Sequence, residues 1–97
     1  MYSLRPTSPF VKRYKKLIKH DKLLGNKIGD IFLTLRENPH HPSLKSHKVN
    51  TPDYGLRWSS RVTGDIRIIW DYDSSSTVFI IILLDIGGHS GSQKVYK

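Results

Sequence analysis

The chain has 97 residues, the length of one domain, and its 37% hydrophobic and 10% aromatic content excludes a disordered polymer. The absence of cysteine excludes disulfide scaffolds and thiolate metal sites. Sixteen Lys and Arg against eight Asp and Glu leave a net charge of +8, which points to an anionic partner without identifying it. All of that excess lies in the first half. Residues 1–50 carry eleven basic and three acidic side chains, whereas residues 51–97 carry five of each.

In chain order, residues 2–5 alternate weakly and predict a short first strand. Ser8-Pro9 is a helix-start signal, with Ser8 as the cap and proline where no N–H is needed. Phe10, Val11, Tyr14, Leu17 and Ile18 recur at helical spacing, and Lys12, Arg13, Lys15, Lys16 and Lys19 fill the other face. Asp21 is the cap of a second helix that buries Leu24, Ile28, Ile31, Phe32 and Leu35 and stops at Asn38-Pro39. Residues 38–53 are polar and proline-rich and read as a loop in which His40 and His41 face solvent. Strands follow over 54–62, 66–72 and 77–86, joined by turns at Thr63-Gly64-Asp65 and 73–76. The expected fold is α+β, with a helical hairpin on a small, largely antiparallel four-stranded sheet in the order β-α-α-β-β-β, one domain over 1–97.

Two exclusions concern location. The longest apolar run, residues 78–84, is seven residues, against roughly 20 for a membrane span. Phe10-Val11 runs directly into Lys12-Arg13, unlike a secretory signal, so the cytoplasm is the expected compartment and no membrane partner is expected.

Register brings the arginines together. If Leu56 and Trp58 share the core face with Ile66, Ile68 and Trp70, then Arg57, Ser59 and Arg61 share the opposite face with Arg67, Ile69 and Asp71. That pairing needs an odd-length turn, with Gly64 in a left-handed conformation. Arg57, Arg61 and Arg67 then lie on a face turned away from the helices. Either Arg57 and Arg67 pair with Asp71 and Asp65 as ordinary surface ions, or the three arginines await a phosphate or carboxylate that fits the guanidinium fork. No histidines show metal-ligand spacing, and no metal or cofactor is expected. His89 follows Gly87-Gly88 at the end of the last strand, where an imidazole is suited to proton transfer near neutrality.

The run Arg61-Val62-Thr63-Gly64-Asp65-Ile66-Arg67-Ile68-Ile69-Trp70 resembles the Arg-Val-Gly-Asp-Tyr-Arg stretch of the RelE/ParE toxin superfamily. Leu83-Leu84-Asp85-Ile86-Gly87-Gly88-His89, followed by Val95-Tyr96, resembles that family's closing motif. His89 and the stretch Leu44-Lys45-Ser46-His47 are similar to the YafQ branch. The resemblance implies the toxin of a type II toxin–antitoxin pair, a metal-independent endoribonuclease that cuts mRNA on the ribosome and is restrained by an acidic antitoxin protein. Arg67 would stabilise the phosphorane and His89 would act as general acid. His47 and Asp65 match the remaining acid/base positions. Arg57, Arg61 and Tyr96 match residues that hold RNA. Thr63 adds a residue to the motif's turn, and Ser59 stands where RelE has lysine, leaving His47 as the base.

Two other functions remain open at this point. One is a ParE-like poison of DNA gyrase, which needs neither His47 nor His89. The other is a non-catalytic nucleic-acid-binding module.

Overall fold

The computed structural model describes residues 1–75 and 79–88. Strand β1 (Ser3–Pro6) leads into helices α1 (Ser8–Ile18) and α2 (Lys22–Glu37). After a 3-10 turn at Pro42–Leu44 come β2 (His47–Thr51), β3 (Gly55–Arg61), β4 (Ile66–Tyr72) and β5 (Ile80–Gly88). One five-stranded sheet results, in the order β1-β5-β4-β3-β2. The helical hairpin on a sheet is as expected, but the sheet has a fifth strand and is mixed, because β1 runs parallel to β5.

The fifth strand is β2, inside the stretch read as a loop. His47–Thr51 has no apolar alternation and becomes a strand by pairing antiparallel with β3, a tertiary cause that outweighs local propensity. Within the same stretch His40 is exposed, as expected, but it also has partners. Its ring packs edge-on against Trp58 at 4.6 Å, and its Nε2 hydrogen-bonds the Tyr72 hydroxyl at 2.8 Å.

The α1 cap is Thr7, one residue earlier than expected. Its hydroxyl accepts from the Phe10 N–H and also donates to the Leu83 carbonyl at 2.9 Å, so one side chain caps the helix and fastens it to β5. Asp21 caps α2 as expected, accepting from the Leu24 N–H at 3.0 Å. Phe10, Ile28 and Leu35 pack against Ile68, Trp70, Ile81, Leu83 and Ile86 on the helix-facing side of the sheet. Burying side chains of this size contributes roughly 1.5–3 kcal/mol each.

The β3–β4 register pairs Trp58 with Trp70, Ser60 with Ile68, and Arg61 with Arg67. The apolar and arginine rows therefore divide as expected, although Leu56 lies beyond the core and is 58% exposed. Gly64 does not take the left-handed conformation. The turn is built instead on Thr63, whose hydroxyl accepts from the Asp65 and Ile66 N–H groups. In β5 the register slips, Ile69 pairing with Asp85 and Trp70 with Leu83. Leu84 is the extra residue of a β-bulge, which aims Asp85 away from the helices.

Candidate functional site

Strand pairing assembles a face opposite the helices. One row across the sheet runs His47, Ser59, Ile69 and Asp85, and the next runs Arg61, Arg67 and Gly87. His47 is thus the diagonal neighbour of Arg61, roughly 7–8 Å away by sheet geometry. Arg57 is on this face but four residues from Arg61, about 13 Å along the strand.

Each arginine has a different environment. Arg57 is engaged: its Nη1 pairs with Asp71 at 2.9 Å and its Nε donates to the Tyr54 carbonyl at 2.9 Å. Arg67 donates to the backbone carbonyls of its own turn, through Nη1 to Thr63 and Ile66 and through Nη2 to Gly64. Three of its five N–H groups are held there, which fixes the guanidinium plane, and the other two have no partner among the described residues. Arg61 is exposed and makes no hydrogen bond or ion pair among the described residues. The surface ion-pair reading therefore describes Arg57, paired with Asp71, and not Arg67, which is held by carbonyls.

His47 is oriented by the residue two before it. Lys45 adopts a left-handed conformation (φ 49°), and its carbonyl lies 2.8 Å from His47 Nδ1. A carbonyl only accepts, so Nδ1 carries the hydrogen and Nε2 of the neutral ring is left as an acceptor. At the turn, the Asp65 carboxylate overhangs β5: a Cβ on Gly88 would come within 2.5 Å of Asp65 Oδ2. Any side chain there would have to push the carboxylate aside. β5 ends at Gly88, paired with Ile66 beside the Arg61–Arg67 row. His89 and Tyr96 lie outside the described residues.

Asp85, Arg13 and Tyr54 also belong to this region, and sequence reasoning singled out none of them as site residues. Asp85 is buried on the bulged strand, and both its carboxylate oxygens accept from Arg13 Nη1, at 3.2 and 3.3 Å. Burial pushes the Asp85 carboxyl above the usual aspartate range, against the opposing pull of the Ile86 N–H and the Arg13 guanidinium. Burial also raises the Tyr54 phenol, helped by the Asp85 and Asp53 carboxylates. The available signal was Asp85 itself, a lone charge in an apolar strand. No three His, Asp or Glu side chains gather as a metal site would need among the described residues.

No protein-family model matches the sequence, and neither does any curated protein. Solved structures do match. A YoeB/ParE toxin from Agrobacterium tumefaciens superposes with a TM-score of 0.71 at 20% identity, over 93% of this chain and 100% of that one. A chain of the archaeal RelE-RelB complex from Pyrococcus horikoshii gives 0.68 at 15% identity, over 94% and 98%. A chain of the E. coli DinJ-YafQ complex gives 0.65 at 18% identity, over 92% and 94%. At these identities the likeness is one of fold, and that fold is the one the sequence motifs anticipated.

Proposed function

We propose that this chain, which carries the RelE/ParE toxin fold, is the toxin of a type II toxin–antitoxin pair and an endoribonuclease that cuts mRNA on the ribosome without a metal. The observation that carries this reading is the pairing of Arg61 with Arg67 beside His47 on a face free of the helices. Like charges directly opposite on a sheet are unfavourable, and a bound phosphodiester reverses the sign.

The chemistry follows from the groups present. His47 Nε2 takes the proton of a ribose 2′-OH, and that oxygen attacks the adjacent phosphorus. The two unengaged N–H groups of Arg67 stabilise the charge of the phosphorane. The P–O5′ bond then breaks as His89 gives a proton to the leaving 5′-oxygen, yielding a 2′,3′-cyclic phosphate and a 5′-hydroxyl. Asp65, overhanging Gly88, is the further acid/base group. Arg61 holds the scissile phosphate, Arg57 a neighbouring one when it exchanges Asp71 for RNA, and Tyr96 stacks on a base. A net charge of +8 suits an acidic antitoxin as cognate partner, and the RelE-RelB and DinJ-YafQ structures are complexes of this kind.

Primer extension on cellular mRNA after brief induction tests the reading. Wild-type protein should produce discrete breaks, and Arg67→Ala and His89→Ala should abolish them while the protein stays folded. Growth arrest with DNA-damage induction and intact mRNA would overturn it in favour of gyrase poisoning. Breaks that persist in the double variant would show that the chemistry lies elsewhere.

A further inference from the structure

β1 pairs with β5 only as far as Leu83. Beyond that residue no described strand pairs with the outer edge of β5, and there α1 begins, tied by the Thr7 N–H and hydroxyl to the carbonyls of Leu83 and Leu84. The helix therefore starts beside the end of β5 that carries Asp85 and Gly87. From it Arg13 reaches round to Asp85, which shares the arginine face and is the diagonal neighbour of Arg67.

Arg13 faces two ways. Only its Nη1 is engaged with Asp85, and its side chain stays 36% exposed. It also lines a surface depression of about 470 Å³ with Lys12, Lys15, Lys16 and Lys19. At helical spacing, Arg13 and Lys16 are i,i+3 neighbours, Lys12 and Lys16 i,i+4, and Lys16 and Lys19 i,i+3. The cations thus form a continuous staircase from the sheet edge to the outer face of the helix. α1 has no acidic residue to offset them, and each such like-charge pair disfavours the helix. An ordinary solvated helix face mixes signs. This one does not.

We propose that Arg13, anchored by Asp85, carries the anion-binding face of the sheet round its edge onto α1. The RNA strand bound across Arg61 and Arg67 then continues over Lys12, Lys16 and Lys19. The inference rests on the RNA-cutting reading above and adds to it the path of the flanking strand. The ligand is the phosphodiester backbone, read by charge without base specificity.

Fluorescence anisotropy with 2′-O-methyl RNA, which cannot be cut, separates this path from the chemistry. Two single strands are compared, one of about four and one of about twelve nucleotides, spanning common single-strand site sizes. Wild-type protein should bind the longer strand with the steeper salt dependence. Lys16→Ala/Lys19→Ala should lower the logarithmic salt slope for the long strand by about 1.4, about 0.7 for each lost phosphate contact, and leave the short strand unaffected. Arg13→Ala should weaken the long strand several-fold, and Lys27→Ala on α2 should change neither. Alanine favours helix, so the lysine variants retain their fold.

Equal slopes for both strands in wild-type protein, or equal losses for both strands in the lysine variant, would overturn the path. An unchanged long-strand slope in that variant would overturn it as well. If wild-type protein cuts RNA but the lysine variant binds both strands normally, the path alone fails. If wild-type protein neither binds nor cuts RNA, the functional reading fails with it.

Discussion

Arg61 and Arg67 are direct partners across the β3–β4 ladder, side by side on the face that the helices leave open. The two sit differently. Arg67 is clamped by the carbonyls of the turn that precedes it, whereas Arg61 is exposed. A rigid guanidinium beside an unclamped one suits a site in which the first meets the changing charge of a reaction and the second follows the substrate.

That pairing predicts a trade between stability and function. Replacing Arg61 by threonine, a good strand former, relieves the repulsion and should raise unfolding stability by about 0.2–1 kcal/mol. The same change should cut RNA affinity and its salt dependence. Urea denaturation and anisotropy on one preparation measure both. A less stable variant with unchanged RNA binding would show that Arg61 serves the fold.

A second prediction concerns a buried relay. The Trp70 indole donates to Ser60 Oγ at 2.7 Å, Ser60 and Ser46 hydroxyls meet at 2.7 Å, and Ser46 donates to the Pro39 carbonyl at 2.6 Å. With both ends fixed, Ser60 must donate to Ser46. Ser60→Ala leaves the indole N–H unpaired in the core and should cost about 1–3 kcal/mol, against about 1 kcal/mol for Ser46→Ala. Because Ser46 immediately precedes His47, both variants should also slow RNA cleavage. A Ser60→Ala protein as stable as wild type would refute the relay.

These residues mark what the sequence could and could not convey. Helical periodicity located both helices, and alternation located β4 over 66–72, because each is set by neighbours in the chain. Residues that owe their state to distant partners were not legible. His47–Thr51 is a strand because β3 lies beside it, and His40, although exposed, is held in place because its ring meets Trp58 and its Nε2 meets the Tyr72 hydroxyl. Thr7 displaces Ser8 as the cap because β5 offers it two carbonyls. For the site, the parity of the β3–β4 hairpin was enough to gather the arginines on one face. The bulge at Leu84, which turns Asp85 onto that face and lets Arg13 join it, has no signature in an apolar run.

The close approach at the turn yields a third prediction. A methyl group at position 88 would push the Asp65 carboxylate aside; that carboxylate ends an exposed side chain, so Gly88→Ala should cost little stability, under about 1 kcal/mol, and reduce cleavage by displacing it. If that contact is the cause, Asp65→Ala should be less harmful in the Gly88→Ala protein than in the wild type. A double-mutant cycle should give a coupling of about 0.5 kcal/mol, the low end for residues in contact. Strict additivity would mean that the glycine is needed for another reason.

A fourth prediction follows from the raised carboxyl of Asp85. Its folded-state pKa lies above its unfolded value, so between the two the folded protein holds a proton that the unfolded chain has released. The contribution of this group to stability is therefore largest in acid, declines as pH rises through that interval, and is flat above it. Asp73 is shifted the opposite way by its hydrogen bonds to Ser75 and Arg5, but it is common to both proteins in a comparison with Asp85→Asn and cancels. The difference in unfolding free energy, wild type minus Asp85→Asn, should thus be largest in acid and fall as pH rises above the ordinary aspartate range, about pH 4. Urea melts from acid to neutral pH provide the measurement. A difference that stayed constant, or that grew with pH, would mean that Arg13 and the Ile86 N–H outweigh burial and keep Asp85 ionised throughout.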